Sequence, residues 1–383
     1  MALDGRPDAP AAPADEVADA CREAGLVRIL GTTSGESLAA VGLLGRALGD
    51  AGVPFQARLA SPASEDVGAT DADLTVAVGR GDFRADHALD ATPEADAIER
   101  AYAVAADVGV ADPILGLAGA VGADTEPPAR IRADAEAAGI DRRPGVAVPT
   151  ADLADGLAHS TLVHAPFSGD RDAAGDALAD LDLPEDPDTD DRRRVASLVA
   201  LAVAEVEDCP PRATRAIERA LNPHVGGPYE TVGGYADVLD ALARTRPGLG
   251  IAVALGRGGC DDALETWREH GVAVHRAVSE ADRARHDGLV VAHVDAARSV
   301  SRLESVARLV RDFRSPEPTV LALGADAAVL TTVADAVDAA SLLADTVGDA
   351  DLEGAIVGDQ ALATAPAGDG HDAIVEAVRR DLR

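Results

Sequence analysis

The stretch VRILGTTSGESLAAVGLLGRAL, Val27 to Leu48, decides the fold. Val27, Ile29 and Leu30 form a short β-prone apolar run, and the polar turn Gly31 to Glu36 breaks it. Leu38, Val41, Leu44 and Leu48 then recur at helical spacing on one face. A buried strand, a Gly-Ser-Thr turn and a helix make the first half of a βαβ unit. In open α/β sheets ligands bind in the crevice beyond the carboxyl ends of the strands, so GTTSGES is the expected mouth of a site.

Working outward, the spacing predicts a first helix over Asp15 to Gly25, a strand over Val53 to Leu59 and a nearly continuous apolar strand over Asp71 to Gly79. Pro93 to Val108 and Asp112 to Val121 read as further helices. Leu181 to Asp191, LDLPEDPDTDD, is acidic, Pro-rich and aperiodic and reads as a linker. Arg192 to Val206 follows as a mostly buried helix, and Tyr235, Val238, Leu239 and Leu242 share a helical face. Further strands are expected at Leu249 to Leu255, Gly271 to His275, Gly288 to Val294, Thr319 to Leu323 and Gly354 to Val357. The expectation is an α/β protein with a parallel sheet in each of two domains. Its divisions are a leader to residue 14, a first domain over 15–180, the linker, connecting helices over 192–246 and a smaller α/β domain from 247 onward.

Composition narrows the setting. The chain of 383 residues carries 34 Lys+Arg against 67 Asp+Glu, a formal charge of -33, and every basic side chain is Arg. Such acidity suits a salt-rich cytoplasm, where a Debye length of about 3 Å at molar salt makes dense surface carboxylates tolerable. The same acidity blunts the usual basic-patch test for a nucleic-acid partner, and aromatics at 2% leave little capacity for stacking on bases. Cys21, Cys209 and Cys260 lie far apart without metal-ligand spacing and read as reduced thiols of a cytoplasmic protein. No apolar run reaches the roughly 20 residues a membrane span needs, so no membrane partner is expected. The absence of lysine excludes a GxxxxGK[ST] phosphate loop and Schiff-base chemistry. Ser34 lacks the GxSxG elbow of a hydrolase nucleophile.

The turn after Leu30 also resembles the DHH phosphoesterase superfamily, and within it the archaeal RecJ-like group. That family places His-x-Asp-x-Asp-Gly here, and its aspartates hold divalent metal for phosphodiester hydrolysis; this chain has Leu30, Thr32, Ser34 and Gly35. The family's isolated Asp at the end of the next strand corresponds to Gly79, and the nearest match to its Asp-His-His triplet is Asp86, His87 and Ala88. A last acidic ligand corresponds to Asp124, after DPILGLAGAVGAD. Leu221 to Arg244 resembles a structural segment of the RecJ-like group. Asp369, Gly370 and His371 stand where the family's C-terminal domain grips substrate phosphate through a Gly-Gly-His turn.

By this resemblance Thr32, Ser34, Gly79 and Ala88 are vestiges of a catalytic site. Asp86, His87 and Asp124 remain as candidate metal ligands, and Gly370 and His371 as candidate phosphate or nucleic-acid contacts. The resemblance implies a protein of DNA replication or repair that binds single-stranded nucleic acid or acts as a scaffold. Its implied partners are replication proteins such as GINS, with no resident cofactor. The rival is an active single-strand-specific 5′–3′ exonuclease or small phosphodiesterase, with manganese or magnesium held by Asp82, Asp86, His87 and Asp124, Glu36 assisting. A binder of small nucleotides is a third reading. His159 and His164, close in sequence without acidic neighbours at ligand spacing, read as packing or surface residues.

Overall fold

In the computed structural model, the described residues are 12–60, 71–79, 83–91, 95–123, 125–184, 187–206, 209–294, 300–325, 327–333, 353–357, 360–364 and 369–382. They form two compact units between which the described chain passes three times. One holds the described residues through Arg142 together with His224–Trp267; the other holds Arg143–Pro223 and everything from Arg268 onward.

The first unit is built on the quoted stretch. Helix α1 (Ala14–Glu23) leads into β1 (Val27–Gly31), and Ser34 caps α2 (Gly35–Asp50) by accepting from the Ser37 amide at 3.2 Å. Strands β2 (Phe55–Leu59), β3 (Leu74–Val78) and β4 (His87–Leu89) complete a sheet of order β2-β1-β3-β4, parallel throughout. Helix α2 is buried around most of its circumference because α3 (Ala97–Val108), α4 (Pro113–Gly122) and α10 (Val232–Thr245) all pack on it. Pro113 begins α4 at a position that needs no amide, and Asp112 accepts from the Ile114 and Leu115 amides. Helices α5 (Ala129–Ala137) and α11 (Pro247–Ala254) and the short pair β5 (Asp141–Arg142) and β6 (His224–Val225) finish this unit. Beneath the sheet the buried core runs from Val17 to Trp267, whose indole Nε1–H donates to buried Asp237 at 2.7 Å.

The second unit contains α6 (Leu153–His159), α7 (Arg171–Ala179), α8 (Thr189–Ala204), α9 (Ala213–Ala220) and α13 (Val300–Phe313). Helix α12 (Cys260–Glu280) enters it at Arg268. Its sheet has the order β11-β12-β10-β9-β8-β7, built from β7 (Asp282–His286), β8 (Leu289–His293), β9 (Thr319–Leu323), β10 (Ala327–Thr332), β11 (Glu353–Val357) and β12 (Gln360–Thr364). The chain's last helix is Asp369–Asp381.

This second sheet corrects the expectation of a parallel one: only β8 and β9 run parallel, and every other pair is antiparallel. Short connections join antiparallel neighbours, as at Asp287-Gly288, whereas β8 reaches β9 through α13, the crossover a parallel pair requires. The sequence expectation finds β8, β9 and β11 but not β7, β10 or β12. Leu249 to Leu255 is helix α11, not a strand, because Pro247 opens a helix. Gly271 to His275 lies inside the 21-residue α12, where its alternating pattern is overridden by helical packing. Helix α8 buries only Val195, Val199 and Val203, one stripe at i, i+4, i+8, so the expectation of a mostly buried helix fails. The acidic stretch Leu181 to Asp191 is interior to the second unit, where Leu181 and Leu183 pack against its core. The units divide elsewhere, at residues 142/143, 223/224 and 267/268.

Candidate functional site

The register of the parallel sheet places one residue after each strand on a common edge. Gly31 lies opposite both Leu59 and Val78, and Val78 opposite Leu89. Thr32, Ala60, Gly79 and Asp90 therefore follow their strands at the same carboxyl edge, where the fold class binds ligands.

Of these, Thr32 is consumed by local bonding and Gly79 has no room for a side chain. The Thr32 hydroxyl, 2% exposed, lies 2.7 Å from that of Ser37, and the Ser37 hydroxyl reaches the Val78 carbonyl at 3.4 Å. Gly79 has φ of +81°, and a Cβ there would lie 2.3 Å from Ser37 Oγ and 3.0 Å from Thr32 Oγ1. An acidic side chain at position 79 thus meets both a left-handed backbone and occupied space. The amino end of α2 is filled as well. Gly35 N donates to Asp240 Oδ1 of α10 at 3.0 Å, and its Cα faces the α10 backbone so closely that a Cβ would sit 3.0 Å from it. A helix amino end favours an anion, and here the chain supplies its own carboxylate, which Arg244 Nε also holds at 2.7 Å.

Asp86 and His87 do not join this edge. The Asp86 amide donates to the Thr75 carbonyl at 2.9 Å and its carboxylate accepts from the Thr75 amide at 2.7 Å, near the amino end of β3. His87 pairs with Val76 and Ala88 with Ala77 inside the ladder. The acid at the carboxyl end of β4 is Asp90. Its carbonyl accepts from Arg100 at 2.9 Å; burial lowers the Arg100 pKa, and the Asp90 charge opposes that shift without cancelling it. Sequence reading passes over Asp90 because it seeks the Asp-His pair; an acid directly after an apolar triplet is the signal that finds it.

Glu36 occupies the first turn of α2. Asp82 and Asp124 lie outside the described residues. Gly370 and His371 both fall in the first turn of the last helix, and the imidazole is buried. Among the described residues no three His, Cys, Asp or Glu side chains group as a metal site. The described donors at the edge, hydroxyls already bonded to one another and the Asp90 carboxylate, do not suit manganese or magnesium, hard cations that take several oxygen ligands including carboxylates.

The second unit concentrates its titratable groups in its interior. Arg314 Nη2 donates to His164 Nε2 at 3.0 Å, which fixes the proton of His164 on Nδ1 for donation to His275 Nδ1 at 3.0 Å. His275 Nε2–H then donates to the Ser160 carbonyl at 2.9 Å. Both imidazoles are neutral: burial pushes His164 down to about 2 and His275 down to about 4, and each is further opposed by cationic neighbours. His159 packs against buried Asp155 at 3.1 Å, and Asp155 takes a two-pronged grip from Arg268 at 2.8 and 2.9 Å. His159 and His164 are therefore packing residues of an enclosed network. Among the described residues no helix is long and apolar enough to cross a membrane.

Comparison with known proteins gives this arrangement a context. Residues 281–380 match a family described as the C-terminal domain of the uncharacterized protein rrnAC1427. The uncharacterized protein rrnAC1427 of Haloarcula marismortui is 47% identical over 331 residues, covering 86% of each chain. The crystal structure of CDC45 from Entamoeba histolytica superposes with a TM-score of 0.60 at 8% identity, over 96% of this chain and 98% of that one. RecJ from Thermus thermophilus in complex with Mn2+ gives 0.52 at 13% identity, over 98% of this chain and 55% of that one. The α/β fold expected of a RecJ-like protein is the fold observed.

Proposed function

We propose that this chain, which belongs to the family of Haloarcula marismortui rrnAC1427, is a catalytically degenerate RecJ-like protein of DNA replication or repair. It binds single-stranded nucleic acid or serves as a scaffold for replication proteins such as GINS, in a salt-rich cytoplasm. The observation that carries this reading is the filled carboxyl edge of the parallel sheet. Where the family resemblance calls for metal-holding acids, Thr32 and Ser37 bond each other, Gly79 has no space for a side chain and Asp240 takes the amino end of α2. Two-metal phosphodiester hydrolysis clamps both the attacking and the leaving oxygen between cations, and among the described residues no group of three His, Cys, Asp or Glu assembles that clamp. The likeness to CDC45 and RecJ supports the fold on which this reading rests.

A residual enzyme reading has one observation in its favour, the placement of Asp90 on the same edge. Release of nucleotides from 5′-labelled single-stranded DNA, with manganese in about molar potassium chloride, separates the two. No turnover above background, in wild type and in Asp90→Ala alike, is the expected result. Turnover that disappears in Asp90→Ala overturns the scaffold reading.

A further inference from the structure

The three cysteines differ in what surrounds them. Cys21 is buried and its thiol is pushed up to about 11, and burial raises Cys209 as well, so both stay protonated and inert. Cys260 alone among the three is exposed. It opens α12, and the turn that delivers it from α11 is tightly packed. At Gly258 a Cβ would lie 2.6 Å from the Val253 side chain and 2.8 Å from its backbone nitrogen, which fixes the path of the chain into the helix.

Beside this thiol stands a hydroxyl that lacks a strong partner. Tyr229 is 7% exposed, and its Oη is buried with no hydrogen-bond partner of good geometry. The ring is held in place: it stacks on Tyr235 of α10 at 5.2 Å between centroids, and the bridge between Val225 and Thr231 closes the loop that carries it. The polar group it faces is Cys260, whose sulfur is a weak acceptor. Burial first, and the neighbouring Cys260 after it, hold the Tyr229 phenol above its usual range, so it stays a hydrogen-bond donor.

We propose that Cys260 is a reversible oxidation site, at which hydrogen peroxide converts the thiolate to a sulfenate whose oxygen accepts the Tyr229 O–H. In this step sulfur attacks one peroxide oxygen and donates the electron pair of the new S–O bond. The O–O bond breaks and the far oxygen leaves as hydroxide, so sulfur is oxidised and the peroxide reduced. A dithiol reductant returns the sulfenate to the thiol, releasing water and its own disulfide. A buried donor without a good acceptor carries the cost of its desolvation, and an oxygen bound to Cys260 relieves that cost. A hydroxyl donating to an anionic oxygen makes one of the stronger hydrogen bonds, so the oxidised form is stabilised at this cysteine and not at the other two. Exposure admits the peroxide, and the Tyr229 hydroxyl holds what it leaves behind.

This inference is independent of whether the sheet edge is inert, since it uses none of the residues there. Its test oxidises the full-length protein with equimolar hydrogen peroxide in about 2 M potassium chloride, traps sulfenate with dimedone at intervals and locates the adduct by mass spectrometry. The expected result is an adduct confined to Cys260, absent from Cys260→Ala and prevented by dithiothreitol added before the trap. Tyr229→Phe keeps the ring and its stack on Tyr235 but removes the donor, and is expected to shorten the sulfenate lifetime at least about tenfold. Iodoacetamide alkylation of Cys260 in that variant keeps the wild-type rate, which separates a lost hydrogen bond from a change in exposure. Thermal melts give a second readout: oxidation raises the melting temperature of the wild type and not that of Tyr229→Phe. If Tyr229→Phe does not fold, the wild-type melts alone decide, and oxidation that leaves the melting temperature unchanged or lowers it overturns the proposal. So does an adduct chiefly on Cys21 or Cys209, a disulfide-linked dimer through Cys260 in place of a sulfenate, or a sulfenate lifetime indifferent to Tyr229→Phe.

Discussion

The carboxyl edge of the parallel sheet and the interior of the second unit divide between them what an active site would combine. The edge lies where α/β folds bind ligands, yet its described residues offer neutral hydroxyls, a glycine and Asp90. The second unit holds imidazoles, guanidinium groups and carboxylates within hydrogen-bonding reach, yet His164, His275, Arg311 and Asp312 are buried there and spent on one another. Position and chemistry have separated. A chain under this arrangement keeps an α/β frame and its carboxyl edge while these charged groups contribute to folding.

The comparison breaks first at Asp312. Arg311 grips Asp312 at 2.8 Å and reaches Thr331 Oγ1 at 2.8 Å, both partners being buried. Burial alone would raise the Asp312 pKa, but Arg311 beside it holds the carboxyl below its ordinary value. Asp312→Ala takes from a buried guanidinium the carboxylate that faces it, with an expected loss of about 3–5 kcal/mol in urea or thermal unfolding. A loss under ~1 kcal/mol would mean that water reaches this network.

Gly79→Asp is the matching probe of the edge, restoring the acid the family resemblance calls for. The left-handed backbone and the contact with Ser37 Oγ together cost about 2–4 kcal/mol. Adding Ser37→Gly relieves the contact and recovers part of the loss, whereas the backbone contribution stays. If Gly79→Asp alone is neutral, the edge is roomier than described and the account of a filled crevice weakens.

Acid distinguishes the two regions next. His164 and His275 have folded pKa values of about 2 and about 4, below the ordinary 6.5, so the folded state binds fewer protons than the unfolded one. Their contribution is complete above pH 6.5 and is lost as pH falls from there toward those folded values. Each histidine contributes up to ~1.4 kcal/mol per pH unit in that window. Melts between pH 7 and 5, where most carboxylates remain charged, are expected to show this slope, and His275→Gln to flatten it. An unchanged slope in that variant would place the acid sensitivity elsewhere. The smallest effect belongs to Asp86→Ala, which removes one exposed hydrogen bond to the Thr75 amide. It is expected to cost ~1 kcal/mol or less, with no change in metal binding.

What was legible in the sequence follows the physics of burial. Strands β1, β3, β8 and β9 are short apolar runs closed by Gly, Ser or charged residues, and such runs announce themselves. Strand β7, DRARH, is a charged edge strand exposed along nearly its whole length, so no apolar pattern marks it. LGIAVAL is apolar on every side and fits a buried strand or a buried helix equally, and only Pro247 tips it toward α11. That positions 32, 34 and 79 carry Thr, Ser and Gly and no acid is visible in the letters. That Asp240, two hundred residues further along, fills the amino end of α2 is not, because the pairing exists only after folding. Asp86 attracts attention by standing next to a histidine, and register alone shows that the pair opens β4 while Asp90 closes it.

Manganese binding measured by the loss of the free-ion electron paramagnetic resonance signal, in about molar potassium chloride, tests the central claim most directly. The account predicts no stoichiometric uptake by the wild-type protein and the same titration for Asp90→Ala. Uptake of one or two ions per chain that Asp90→Ala abolishes would contradict it, and would restore the sheet edge as a metal centre.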